Sequence, residues 1–270
     1  MKEKKWSVFL KGLIVGGTMT VPGVSGGSMA MILGIYERLI SSISSFRKQK
    51  KESILFLSIF LAGSFLGMFL FANWLLRLME RYPIPVKYFF VGAVAGGIPM
   101  IFRAAKVKKL TGKAILYLIL GIAVVWLISL LPNGLFSAQN NTGLYGSLLQ
   151  IIGGFIVAIA LVLPGISVSQ MLLMLGLYEE VISAIGSLNV LGILPLGFGI
   201  IIGIFLTTKV LEGTMQRYPQ ATYLIVLGFI LGSIPELFPG FSASLEQVIA
   251  IVTAISGFFA VYSISRKENE

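Results

Sequence analysis

Apolar residues along this chain follow neither the alternation of a half-buried strand nor the one-sided stripe of a soluble amphipathic helix. They run in near-continuous blocks, close to the ~20 residues that cross a bilayer as a helix. Residues 55–76, 114–131 and 248–264 are the plainest examples. Taking the polar interruptions between blocks as turns predicts spans over 53–76, 84–102, 113–131, 192–212, 221–238 and 246–264. A transmembrane barrel would instead alternate in segments of about ten residues. The expected fold class is therefore an all-α polytopic membrane protein.

Two further apolar stretches are broken from within. Residues 21–40 read VPGVSGGSMAMILGIYERLI, and a second stretch from Leu163 reads LPGISVSQMLLMLGLYEEVI. Proline removes a backbone donor and glycine relaxes the helix, so each stretch is expected to bend at its Pro-Gly pair. Helix resumes around Ser28 and Gln170. The apolar arm before the first break, residues 7–20, is short for a span. This predicts re-entrant helical hairpins over 7–45 and 144–186.

The two halves also match one another. Residues 21–44 and 163–186 share 11 identities in 24 aligned positions, among them Pro22/Pro164, Gly23/Gly165, Ser25/Ser167 and Glu37/Glu179. After a six-residue shift the register continues through Gly63/Gly199, Gly67/Gly203 and two Arg-Tyr-Pro triplets, then a shared G-x-x-x-G-x-I-P string. This is read as an internal duplication. Residues 1–131 form the first repeat, a hairpin plus three spans, and 144–264 the second.

Charge then assigns sides. Residues 1–6, 46–52, 103–113, 209–220 and 265–270 hold 16 of the 21 Lys and Arg, whereas the loops at 77–87, 132–143, 187–191 and 239–245 hold three. Under the positive-inside rule the first set is cytoplasmic, both termini included. Equivalent loops of the two repeats fall on opposite sides, as an inverted-topology repeat requires. The same pattern explains the net charge of +10 without nucleic acid. Lys11 interrupts the N-terminal apolar run and no small-x-small site follows, so MKEKKW is expected to be retained.

Composition supports this reading. The chain is 56% hydrophobic and 12% charged, with a mean hydropathy of +0.93. It has no Cys, His or Asp, which excludes disulfides, Cys/His zinc sites and a histidine proton relay. There is no nucleophile–base pair and no Walker-type phosphate loop, so neither an enzyme nor an ATP-driven pump is expected, and no cofactor.

Non-helical backbone at membrane depth survives only where protein or a wet cavity surrounds it. The two breaks are thus expected at the repeat interface. There the first N–H groups of the resumed helices lack partners, and Gly26, Gly27, Ser25, Ser28, Ser167 and Ser169 add close approach and hydroxyl donors. That chemistry suits an anion, a phosphate above all. Glu37-Arg38 and Glu179-Glu180 close the hairpin helices near an interface. Lys11 either snorkels or meets Glu37 or an anion. Arg81 and Arg217 are either headgroup anchors or entrance residues for an anionic lipid. Glu236 follows a proline expected to end its helix and is read as solvated. The glycine ladders at Gly63/Gly67, Gly92/Gly96, Gly199/Gly203 and Gly228/Gly232 have the spacing of packing seams.

The two quoted segments resemble the signature segments of a bacterial membrane family long catalogued as a domain of unknown function and associated with undecaprenyl-phosphate translocation. Val168 stands where the family's second motif has glycine, and Met19-Thr20 where its first is preceded by Ala-Asp. The resemblance implies a flippase of the bacterial cytoplasmic membrane that returns undecaprenyl phosphate to the cytoplasmic leaflet, in peptidoglycan and cell-wall carrier recycling. It implies that the 22–28 and 164–170 turns hold the phosphate, from Pro22 and Pro164 to Ser28 and Gln170. Lys11, Arg38, Arg81 or Arg217 would neutralise it. Partners are then the polyprenyl-phosphate lipid, membrane lipids and a coupling ion, proton or sodium. A secondary transporter or channel for a small soluble anion is the alternative.

Overall fold

The computed structural model describes residues 4–21, 23–46, 49–107, 111–135, 143–187, 190–241 and 245–267. These are helical throughout, with no strand among the described residues. The first half contains α1 (Lys5–Thr18), α2 (Gly26–Ile32), α3 (Tyr36–Ser44), α4 (Lys50–Arg81), α5 (Pro83–Ala104) and α6 (Gly112–Ser129). The second contains α7 (Leu144–Val162), α8 (Val168–Leu175), α9 (Tyr178–Gly186), α10 (Leu194–Arg217), α11 (Pro219–Leu237) and α12 (Leu245–Lys267). Seven described helices are long and apolar enough to cross a membrane: α4, α5, α6, α7, α10, α11 and α12. This is a multi-pass membrane protein.

Local sequence explains most boundaries. Both Arg-Tyr-Pro triplets make the same corner: Tyr82 and Tyr218 leave the helix at φ −137° and −131°, and the proline behind each opens the next helix at its first turn. A proline there loses no bond, because that N–H has no helical partner. Each resumed hairpin helix is interrupted a second time, which the sequence reading did not anticipate. Gly34 and Gly176 adopt φ +70° and +75°. Around them Ile35 N–H bonds the Ala30 carbonyl at 3.0 Å, and Leu177 N–H bonds that of Leu172 at 2.9 Å, a 6→1 closure that stops a helix. Helix resumes at Gly26 and Val168, two residues earlier than expected. The arm α7 has 19 residues, long enough to span by itself, unlike the 14 of α1.

The most extensive helix pairings are α1 with α4, α7 with α10, α5 with α12 and α6 with α11. The last two join one half of the chain to the other. Each seam uses the glycines expected to do so. A methyl group at Gly67 would overlap the Leu13 carbonyl, one at Gly199 the Ile151 carbonyl, one at Gly92 the Ala254 carbonyl and one at Gly228 the Leu118 carbonyl; Gly16, not among the expected ladders, meets the Ser64 carbonyl in the same way. Without a hydrophobic drive between helices in lipid, this closeness supplies the dispersion that holds them together. Gly16→Val is expected to destabilise the protein by at least ~1–3 kcal/mol, the usual cost of overpacking, because backbone cannot yield as a side chain can. A lowered melting temperature in detergent checks this.

Helices α5 and α11 form the centre: 56% of each apolar window is buried, against 17–33% for the other five. The outer helices present Phe65, Phe69 and Leu127 outward, as a lipid-facing surface does. The two halves differ in one respect. Helix α3 packs on both α4 and α10, whereas α9 packs on α8 and the 190–193 turn, with no comparable packing on α4.

Candidate functional site

Both chain breaks open onto one central cavity of about 850 Å³. Of the first break, Gly23, Ser25, Gly26 and Gly27 line it; of the second, Gly165, Ser167 and Ser169. The breaks touch: a Cβ on Gly27 would stand 3.2 Å from Pro164 Cα. Pro164 itself packs behind the wall, and Pro22 lies outside the described residues. Gly23 and Gly165 both take φ +83°, a left-handed conformation that costs other residues strain.

The wall has two chemical characters. At the breaks it carries the hydroxyls of Thr20, Ser25, Ser167, Ser169 and Ser233, with Tyr36, Tyr178 and Glu236. Away from them it is made by Leu39, Ile40 and Ile43 of α3, Leu57, Phe60 and Leu61 of α4, and Ile204 of α10, with Thr208, whose hydroxyl donates to the Ile204 carbonyl at 2.7 Å, as the one polar residue. Leu61, Met19 and Leu161 of this lining are 39–49% exposed.

Donors in the polar part are neutral. At 7 and 8 residues, α2 and α8 are too short to build much of a helix dipole. Thr20, Tyr36 and Ser233 donate their hydroxyls to the Gly17, Val162 and Ile230 carbonyls, so the available groups are the hydroxyls of Ser25, Ser167 and Ser169 and the first-turn N–H groups that precede the helical ladder. Ser25 makes no side-chain capping bond, while Ser167 accepts one from Gln170 N–H at 3.4 Å.

Several expected site residues lie elsewhere. Ser28 is buried and faces a separate void of about 10 Å³ shared with Ser233 and Phe90. The Gln170 side chain is not on the cavity wall. Lys11 is buried at 6% exposure on α1, outside the lining. Glu37 accepts a hydrogen bond from the Tyr223 hydroxyl, and the Arg38 guanidinium lies 4.3 Å from the Phe56 ring centroid. Arg81 and Arg217 sit exposed at the two corners, each over the tyrosine that follows it, at 5.7 and 5.4 Å. Glu179 is exposed on α9, and its neighbour Glu180 accepts from Gln150 at 2.5 Å. No Lys or Arg is among the described lining residues.

One expectation is corrected. Pro235 does not end its helix; α11 continues to Leu237, and Glu236, exposed as expected, borders the cavity. The proline sits inside the helix at the cost of one bond, the Leu231 carbonyl losing its partner, as Pro99 does inside α5. The signal lay in the sequence: the first repeat carries Met100 at the equivalent position, and an acid replacing a methionine inside an apolar run marks a polar environment.

A cavity with neutral hydrogen-bond donors at one end and an aliphatic wall at the other fits an amphiphile with a small anionic head. Comparison with known proteins points the same way. The chain is 34% identical to a Staphylococcus aureus protein named polyprenyl-phosphate transporter, over the full length of both. It is 32% identical to a Vibrio cholerae protein of the same name, over 86% of this chain and 77% of that one. No solved structure matches it. Residues 15–256 match the family model described as VCA0040-like, undecaprenyl phosphate translocase-like, and the chain belongs to that family.

Proposed function

We propose that this chain carries polyprenyl phosphate across the membrane, from the outer to the cytoplasmic leaflet, as the return step of a carrier lipid used in envelope synthesis. The observation that carries the reading is the single cavity into which both breaks open, hydroxyl-lined at the breaks and aliphatic towards α3, α4 and α10. A phosphate cannot enter hydrocarbon without replacements for its water. Here Ser25, Ser167, Ser169 and adjacent N–H groups replace that water, while the aliphatic wall takes the first units of the tail. The exposed Leu61 and Met19 mark where the rest of the tail passes to lipid.

In this reading the halves are inverted repeats, each a re-entrant hairpin and three spans, and they rock about the cavity to expose it alternately. The correspondence of α1–α4 with α7–α10, and of α5–α12 with α11–α6, supports it. Loop charge orients the α3–α10 end towards the cytoplasm.

The test is a leaflet assay in sealed proteoliposomes, with phosphatase added outside to consume externally exposed polyprenyl phosphate. Purified protein alone is expected to give access to the inner pool. A Ser25→Ala/Ser167→Ala variant is expected to lose about tenfold or more, since each hydrogen bond to a charged group contributes ~1.5–3 kcal/mol. Ser28→Ala, outside the cavity, is expected to stay within about twofold, well under the tenfold that ~1.4 kcal/mol gives. Uptake of free inorganic phosphate without lipid access would replace this reading with a soluble-anion transporter.

A further inference from the structure

We propose that Glu236 sets the charge of the headgroup this cavity accepts, admitting a lipid monophosphate and turning away a lipid diphosphate. The inference rests on the transport reading above and assigns a specificity-determining residue within it. Glu236 is the one charged side chain among the described residues that line the cavity. It sits at the first break itself: a Cβ on Gly23 would lie 3.6 Å from the Glu236 carbonyl and 3.0 Å from Leu237 Cδ2. Its helix, α11, is one of the two most buried, so the carboxyl is carried by a rigid element rather than a loop.

The hydroxyls and N–H groups of this wall are neutral donors, able to solvate a small charge and unable to cancel one. A phosphate monoester carries about −1.5 to −2 near neutral pH. A diphosphate brings roughly one further negative charge into the same cavity, with no cation among the described lining residues to meet it. Opposite a carboxylate, that extra charge is repelled as well as unpaired. Discrimination of this kind is built by repulsion against the wrong ligand more than by attraction for the right one.

The experiment compares polyprenyl phosphate and polyprenyl diphosphate of equal chain length in the same proteoliposome assay, using wild type, Glu236→Gln and Glu236→Ala. Wild type is expected to favour the monophosphate at least tenfold. Both variants are expected to raise monophosphate transport somewhat and diphosphate transport much more, reducing the preference about tenfold. An unchanged preference in both variants overturns the proposal and leaves the transport reading intact. So does loss of monophosphate transport in both, since Glu236 would then serve binding and not selection. Wild-type protein that moves neither lipid would refute the transport reading itself.

Discussion

Gly165→Ala will reduce polyprenyl-phosphate transport to background, while Gly23→Ala will leave it within about tenfold of wild type. The two glycines are equivalent in sequence and share φ +83°, so the conformational cost, ~1–2 kcal/mol for a non-glycine residue, is common to both. Their surroundings differ. A Cβ on Gly165 would stand 2.5 Å from the Phe229 carbonyl carbon and oxygen and 2.7 Å from Ile230 N, all backbone of the central helix α11. One on Gly23 meets the tip of Leu237 at 3.0 Å, a flexible side chain that can rotate away. Only the first change forces the second break off α11 and disturbs the cavity wall, adding ~1–3 kcal/mol of overpacking to the shared cost. Leaflet assays together with melting temperatures in detergent decide it. Equal losses in the two variants would mean that contact between the second break and α11 does not govern the site.

That asymmetry bounds what the sequence could reveal. The two Arg-Tyr-Pro corners, the Pro-Gly breaks and the glycine seams were legible because each is a local rule: a missing donor, a left-handed φ or a small residue at helical spacing. The second interruption at Gly34 and Gly176 was equally local and equally duplicated. Apolar continuity from Met29 to Tyr36 and from Met171 to Tyr178 masked it. The cavity wall was not legible in the same way. Ser25 and Ser28 stand three residues apart, yet Ser25 borders the large cavity and Ser28 only the small void beside it, because direction is set by how α2 packs on α5. Basic residues looked like phosphate partners by charge alone. Their positions on α3, at the corners and within α1 leave the polar wall to hydroxyls and one carboxyl.

The largest conformational effect concerns the two hairpin helices that differ. Helix α3 is held at the α10 end by hydrogen bonds from Ser44 and Ser45 to Glu212, from the Tyr223 hydroxyl to Glu37, and from the Tyr36 hydroxyl to the Val162 carbonyl at 2.6 Å. The register of the duplication names the counterpart of each: Glu179 for Glu37, Lys87 for Tyr223, Tyr178 for Tyr36, Thr20 for Val162 and Leu76 for Glu212. Tyr178 and Thr20 already border the same cavity. If the halves exchange conformations during transport, α9 closes onto α4, Tyr178 donates to the Thr20 carbonyl, and Glu179 meets Lys87 as an ion pair. The chain has no native cysteine, so paired cysteines report this without background. Ser44→Cys/Glu212→Cys and Lys87→Cys/Glu179→Cys are both expected to cross-link with a short bifunctional reagent, and each link is expected to stop transport until it is cleaved. Leu76 offers no acceptor where Glu212 has one, so the α9 closure has fewer bonds and its link should form more slowly. A transport-competent Lys87→Cys/Glu179→Cys protein that never cross-links would refute the exchange of halves, because no state would then bring α9 onto its neighbour.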